Sequence, residues 1–242
     1  MTESHEVAVH QQSVDDHRVP WSVRDALYGL ALMVAISFVT LAALRWLLSG
    51  TGPEGSHPFV TVCFGLVQVL VFVVVWALAI KRYRVPWRSV GFARPQTHRS
   101  LLLALAVLFG SLAFAVLYGA TITAAGIDSL VPDPIPERVL GEGTYRLLNI
   151  GIIAIVGPLA EEVFFRGFLL TAMVRPLGVP RAMAISSTVF AVGHLSLGVV
   201  VPFFVTGWLL SWLYLKTRSI WPSFTVHAAQ NSIAIFAISA VG

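Results

Sequence analysis

Ionisable and amide side chains interrupt three apolar stretches in the C-terminal half of the chain. They form three short patterns at helical spacing: Glu161-Glu162 with Arg166, Phe190 with His194, and His227 with Asn231. Charged side chains inside a bilayer are costly, so those that occur there usually have a function. Carboxylates and imidazoles can move a proton from water, and imidazole and amide groups can stabilise an oxyanion. The patterns therefore predict an enzyme active site within a membrane.

The acidic pattern places its groups on two faces of one helix. Glu162 and Arg166 are four residues apart, so they share a face and can form an ion pair. Glu161 is turned by about 100° from Glu162 and is free to face another helix. Adjacent carboxylates in a low-dielectric site are suited to act as a general base or acid, and the Glu162 and Arg166 pair could have a role in such a site. The alternative is that the pair only fixes helix packing.

The two histidine patterns each place a second side chain one turn away. Phe190 precedes His194 by four residues and can hold the imidazole in one rotamer. His227 and Asn231 share a face, and both can donate hydrogen bonds to an oxyanion. His194 taken alone could equally be a hydrogen-bonded core histidine. The His227 and Asn231 pair taken alone could be a polar clamp between helices.

The composition is that of a membrane protein. Hydrophobic residues make up 57% of the 242 residues, charged residues only 12%, and the mean hydropathy is +0.81. A spanning helix needs about 20 apolar residues. Segments close to that length lie at 25–48, 59–80, 101–125, 146–173, 181–198, 200–215 and 219–240. We predict an all-α, polytopic membrane protein with about seven spans, within a range of six to eight.

The positions of the basic residues predict the orientation. Six Lys and Arg residues lie between Lys81 and Arg99, whereas the loops at 49–58 and 126–145 are mainly acidic. Since basic loops stay in the cytoplasm, the N-terminus is predicted to be cytoplasmic and the protein to lie in the cell membrane. The net charge of +4 is spread over these loops. Their expected partners are anionic lipid headgroups and not nucleic acid.

Four parts follow from this order of segments. Residues 1–24 are polar and are predicted to form a disordered cytoplasmic tail, and 25–125 hold three N-terminal spans with few ionisable groups. Residues 126–145 contain Pro132, Pro134 and Pro136 and are predicted to form an extended external loop. Residues 146–242 carry all three polar patterns and are predicted to form the catalytic domain.

The three patterns also lie at a similar predicted depth. At 1.5 Å per residue, Glu161, His194 and Asn231 each lie about 20 Å from the nearest basic loop along their own helix. Independent packing pairs have no reason to share a depth. One common cavity within the membrane is therefore the simplest interpretation.

Together the patterns resemble those of the CPBP or Abi family of intramembrane proteases, which includes type II CAAX prenyl endopeptidases and bacteriocin-processing proteins. The family motifs have the forms E-E-x-x-x-R, F-x-x-x-H and H-x-x-x-N, and the similarity covers about residues 145–240. The resemblance implies an endopeptidase in which Glu161, assisted by His194, activates water. It also implies that His227 and Asn231 stabilise the oxyanion and that Glu162 and Arg166 orient the site.

Three questions remain open at the level of sequence. The resemblance favours catalysis without a required metal, although Glu161, His194 and His227 could supply a carboxylate and two imidazoles to zinc. The substrate is a membrane-associated or lipidated protein or peptide, and CAAX and leader-peptide processing are equally open. The competing functions are a non-catalytic immunity or scaffold protein and, with less support, a proton-coupled transporter.

Overall fold

The computed structural model describes residues 19–48, 57–95, 97–132 and 140–241. Within these ranges the chain forms seven long or medium helices joined by short connections. They are α1 (Val23–Leu48), α2 (His57–Val75, continued by a π-helical turn at Trp76–Lys81), α3 (Thr97–Ala124), α4 (Gly143–Leu177), α5 (Val179–Val192), α6 (Leu197–Thr217) and α7 (Ile220–Val241). Short 3-10 turns lie at Trp87–Val90 and Asp128–Leu130.

Helix α4 is not a regular α-helix along its whole length. Two π-helical segments, Ile152–Val156 and Val163–Leu170, alternate with α-helical ones. The first directly precedes Gly157 and Pro158. A proline ring in a helix collides with the carbonyl group four residues earlier, and the wider π-helical turn moves that carbonyl away. π-Helical turns are common at functional sites, and here they lie on both sides of Glu161 and Glu162.

Helix α4 is also the centre of the packing. It contacts α1, α2, α5, α6 and α7. Its second π-helical segment is almost entirely buried, with Phe164, Phe168 and Leu170 at most 1% exposed. The outer helices instead expose many large apolar side chains, as expected for surfaces that face lipid. The polar groups of α4 are therefore held inside a ring of helices.

The helices agree with most of the predicted spans. Five are long and apolar enough to cross a membrane, namely α1, α2, α3, α4 and α6. Helix α7 has 22 residues but carries several polar ones, and α5 has only 14 residues. The chain is an all-α, polytopic membrane protein, and the membrane localisation predicted from its composition is confirmed.

The fifth predicted span, 181–198, is wrong at its C-terminal end. Helix α5 ends at Val192, so His194 lies in the turn between α5 and α6. The reason is local: Gly193 caps the helix, and Leu195 adopts a left-handed conformation with φ of 55° that a helix cannot continue through. The sequence around this turn is apolar, so hydropathy alone does not show where the helix ends.

Two other predicted parts lie largely outside the described residues. Residues 1–18 of the predicted tail and 133–139 of the predicted external loop fall there. The last part of the tail packs on the helices, since Trp21 is buried and its indole Nε1 donates to the Phe168 carbonyl at 3.0 Å. Close by, Asp25 accepts a 2.6 Å hydrogen bond from the Tyr83 hydroxyl, which links α1 to the segment after α2.

Candidate active site

Glu162 is the buried centre of the polar cluster, the group formed by the residues of the three motifs. Its Oε1 atom lies 3.1 Å from Arg166 Nη1 and 3.0 Å from His227 Nδ1, and neither Glu162 nor Arg166 is exposed. The predicted pairing of Glu162 and Arg166 is thus present. A buried charge is tolerated when opposite charges and hydrogen bonds surround it. The carboxylate therefore ties α4 to α7 and fixes the orientation of the His227 ring.

The Glu162 contact also determines the tautomer of His227. A carboxylate oxygen can only accept, so Nδ1 carries a proton and donates to Glu162. The other ring nitrogen, Nε2, is then turned towards Glu161, 3.7 Å from its Oε2 atom. Glu162 therefore orients the imidazole, and Nε2 is the atom of His227 that can take part in chemistry.

Glu161 differs from its neighbour in its surroundings. Its side chain is 30% exposed, whereas Glu162 is fully buried. Its Oε2 atom is buried and accepts no hydrogen bond from any described residue. At 3.7 Å the His227 nitrogen is too distant for a direct hydrogen bond. Glu161 thus combines a partly exposed side chain with a buried acceptor atom, Oε2, that no described residue uses.

Phe190 joins the two histidines into one cluster. Its ring is 2% exposed, and its centroid lies 5.0 Å from that of His194 and 5.6 Å from that of His227. The Arg166 guanidinium lies over the same ring, 4.6 Å from its centroid. This cation–π contact offsets part of the cost of burying Arg166. The aromatic residue of the second motif therefore contacts groups of α4, of α7 and of the turn after α5.

His194 lies at the edge of this cluster, in the turn after α5. Its Nδ1 donates to the Phe190 carbonyl at 2.8 Å, because a carbonyl oxygen can only accept. The Nε2 atom of the neutral ring is then an acceptor, the form required of a general base. The ring also packs edge-on against Phe203, with centroids 4.5 Å apart. The residue itself is exposed.

Asn231 contacts the backbone of α4. Its Nδ2 donates to the Ile153 carbonyl at 2.8 Å. Ile153 lies in the first π-helical segment, where the altered winding takes carbonyls out of the regular hydrogen-bond ladder. In this arrangement Asn231 ties α7 to α4. Its proposed role as an oxyanion donor stays a prediction.

Three further residues of the site were not found from the sequence. Phe203 contacts the His194 ring, the Gly207 carbonyl accepts a long 3.5 Å bond from Arg166 Nη2, and the buried Ser223 lies beside the Glu162 carboxylate. Ser223 precedes His227 by four residues, so the shared helix face could have indicated it. Gly207 could have been suspected as a small residue at a helix contact, whereas Phe203 carries no distinguishing signal.

The geometry also bears on a metal. Among the described residues, no three His, Cys, Asp or Glu side chains are placed to hold a metal ion. In particular, Glu161, His194 and His227 do not form the three-ligand group that zinc would require. The expectation that no metal is required stays a prediction.

A comparison with known protein families finds a match over the part of the chain that holds the three motifs. The family described as type II CAAX prenyl endopeptidase Rce1-like matches residues 143–233, from the start of α4 to the Asn231 turn of α7. Over these residues the chain is similar to this family. The resemblance inferred from the three motifs is confirmed. The Rce1-like region contains every residue of the polar cluster, whereas α1, α2 and α3 lie outside it.

The individual relatives include proteins named as membrane peptidases. The chain is 30% identical over 88 residues to the Bacillus subtilis (strain 168) protein YdiL, which is named as a candidate membrane peptidase; the match covers 36% of each chain. It is 25% identical over 169 residues to the UPF0177 protein YxdF of Lactococcus lactis subsp. lactis (strain IL1403), covering 69% of this chain and 88% of YxdF.

A third relative is the membrane-embedded CAAX protease MroQ of Staphylococcus aureus (strain USA300). It is 24% identical over 161 residues, which is 64% of this chain and 58% of MroQ. The match thus spans about a third of YdiL and less than two thirds of MroQ. No solved structure matches the chain.

Proposed function

We propose that this protein is an intramembrane endopeptidase that hydrolyses a peptide bond of a membrane-associated or lipidated substrate. The observation that carries the proposal is the facing pair Glu161 Oε2 and His227 Nε2. They lie 3.7 Å apart, and Oε2 accepts no hydrogen bond from any described residue. A buried acceptor of this kind is costly unless a further donor reaches it. A water molecule is such a donor, and it would stand beside both groups.

The proposed reaction begins with this water. Glu161 takes one of its protons while the water oxygen bonds to the scissile carbonyl carbon, and His194 Nε2 assists by accepting a hydrogen bond. The carbonyl oxygen becomes an oxyanion, to which His227 Nε2–H donates. Because Nδ1 already donates to Glu162, this donation requires a proton on both ring nitrogens. The proton on Glu161 then passes to the leaving amine as the C–N bond breaks.

We further propose that all seven helices enter the membrane, with the N-terminus in the cytoplasm and the protein in the cell membrane. Basic residues near the ends of α4 and α6 and at the start of α5 support one cytoplasmic side. With 14 residues, α5 is about 21 Å long, less than the roughly 30 Å hydrocarbon core. Its end at Val192, and His194 in the turn that follows, would therefore still lie within the membrane, on the side away from the cytoplasm.

The test is cleavage by the purified full chain in liposomes. Substrates would be a prenylated peptide with a CAAX terminus, the same peptide without the lipid, and a membrane-anchored leader peptide, with products identified by mass spectrometry. Glu161→Gln is expected to reduce cleavage at least about a hundredfold. Glu142→Gln, an exposed glutamate just before α4, is the matched control and should retain full activity.

The outcomes separate the proposal from its alternatives. Full activity of Glu161→Gln would contradict the assigned base. A wild-type chain that cleaves none of the three substrates, while binding a partner protein, would favour the scaffold function. We also propose that no metal is required, and a metal chelator should then leave the rate unchanged.

A further inference from the structure

A basic cavity lies between the ends of α3 and α6, away from the polar cluster. Its volume is about 240 Å³, and it is lined by Arg99, Ser100, Leu103, Lys216, Thr217 and Arg218. Arg99 belongs to the first turns of α3, and the last three residues end α6. The cavity thus joins cations from two connections that are distant in the sequence. It is independent of the proposed peptidase function.

The charge of the cavity has one sign. Three of the six lining residues are cationic, and none of the described residues that line it is acidic. Arg99, Lys216 and Arg218 are all exposed, whereas the Ser100 hydroxyl group is on a side chain only 4% exposed and lies deeper. Guanidinium and ammonium groups with a nearby hydroxyl are the donors that bind phosphate groups. The cavity therefore suits an anion with several acceptor oxygens.

The backbone at the cavity is also unusual. Arg218 adopts a left-handed conformation with φ of 52°, and its N–H group donates to the Tyr214 carbonyl at 2.7 Å. Non-glycine residues are uncommon in this region, where glycine normally ends a helix. An arginine here reverses the chain while keeping a cationic side chain at the cavity. The chain thus has a cationic side chain at a position where glycine would adopt the backbone conformation with less strain.

The position of the cavity indicates the source of the anion. Arg99 is the second residue of the apolar stretch His98–Ala124, and Lys216 is near the end of the stretch Leu197–Thr217. Both stretches are long enough to span a membrane, so the cavity lies where spans meet the headgroup layer. Leu103 lies one turn further into the apolar part. The volume is below the roughly 300–1,000 Å³ of pockets for drug-sized ligands, which suits a headgroup alone.

We propose that this cavity binds the phosphate group of an anionic phospholipid at the cytoplasmic membrane surface. The phosphate oxygens accept from Arg99, Lys216 and Arg218, and the acyl chains extend past Leu103 along α3 and α6. Such a lipid would bridge the N-terminal helices and the Rce1-like region, because α3 and α6 belong to one part each.

The experiment measures lipid binding by the purified full chain in a neutral detergent. Short-chain phosphatidylglycerol is titrated while the thermal unfolding midpoint is followed, since a ligand that binds the folded state raises it. Short-chain phosphatidylcholine, which has no net charge, is the lipid control. We expect phosphatidylglycerol to raise the midpoint at concentrations at which phosphatidylcholine has no effect.

Two double variants separate a specific site from general charge. Arg99→Gln with Lys216→Gln should weaken phosphatidylglycerol binding about tenfold or more, because both removed cations contact the phosphate. Arg175→Gln with Arg181→Gln removes the same charge from another basic connection, and Arg175, like Lys216, lies in the last turn of its helix. That control should stay within about twofold of the wild-type affinity.

Equal weakening in both double variants, or none in either, would overturn the proposal. If the first double variant does not fold, the single exposed change Lys216→Gln answers the same question. Inorganic phosphate distinguishes the source of the anion. Failure of phosphate to displace the lipid supports a headgroup site, whereas displacement at equal concentration means that the cavity binds free phosphate and overturns the lipid assignment.

Discussion

Glu162 and His227 are 65 residues apart in the sequence, yet their Oε1 and Nδ1 atoms lie 3.0 Å apart in the buried centre of the helix bundle. This contact gives the two adjacent glutamates different tasks. Glu162 is occupied by Arg166 and His227, and Glu161 keeps a buried oxygen that accepts no hydrogen bond from the described residues. One carboxylate thus positions the site, and the other is available for the reaction.

Removing the charge of Glu162 should destabilise the protein strongly. Glu162→Gln leaves Arg166 buried without its counterion, and breaking such a pair typically costs about 3–5 kcal/mol. The double variant Glu162→Gln with Arg166→Met should recover part of the loss, because no unpaired charge remains. The measurement is the unfolding midpoint in detergent, with Glu161→Gln as the control, expected within about 1 kcal/mol of wild type. Equal destabilisation by the two glutamate variants would contradict the division of tasks.

His194 should matter for activity and little for stability. His194→Gln removes the acceptor Nε2, and loss of a side chain that takes part in proton transfer typically lowers the rate by about 10²–10⁴. The unfolding midpoint should change little, since the side chain is exposed at the end of α5. Comparison of cleavage rate and unfolding midpoint checks this, with His98→Gln, an exposed histidine in α3, as the control. A large stability loss with unchanged activity would make His194 a packing residue.

Substitution of Asn231 distinguishes a structural role of this residue from a catalytic one. Asn231→Ala leaves the Ile153 carbonyl without its hydrogen bond, which should cost about 1 kcal/mol because the bond is only partly buried. An oxyanion donor would instead lower kcat by about 10²–10³ at unchanged stability. The geometry favours the first result. Ser232→Ala, next in the chain and bonded only within α7 to Ala228, is the control and should change neither quantity.

Gly167 should not tolerate a side chain. A Cβ atom there would collide with the backbone carbonyl of Val90, because α4 and the 3-10 turn at Trp87–Val90 approach closely. Gly167→Ala should therefore destabilise by about 1–3 kcal/mol. Gly119→Ala in α3 meets nothing within 4 Å and should be neutral or slightly stabilising, because alanine favours helix. The unfolding midpoints of the two variants measure these effects. Equal destabilisation by both variants would contradict the close approach.

Local periodicity explains what could be predicted from the sequence. Apolar length gave the helical membrane class and the positions of most helices, and the four-residue spacing gave the Glu162 and Arg166 pair. The three motifs indicated the Rce1-like family before any contact was known. These features depend on neighbours within one or two turns, so a sequence contains them directly.

The tertiary structure alone decided which groups meet. The π-helical segments of α4 shift its faces, so a constant 3.6-residue period cannot show that His227 bonds to Glu162 and only faces Glu161. The turn at Gly193, the Asn231 bond to Ile153 and the basic cavity between α3 and α6 were likewise absent from sequence reasoning. Each depends on the rotation and packing of helices far apart in the chain, and a few tenths of an ångström in packing determine whether two groups bond.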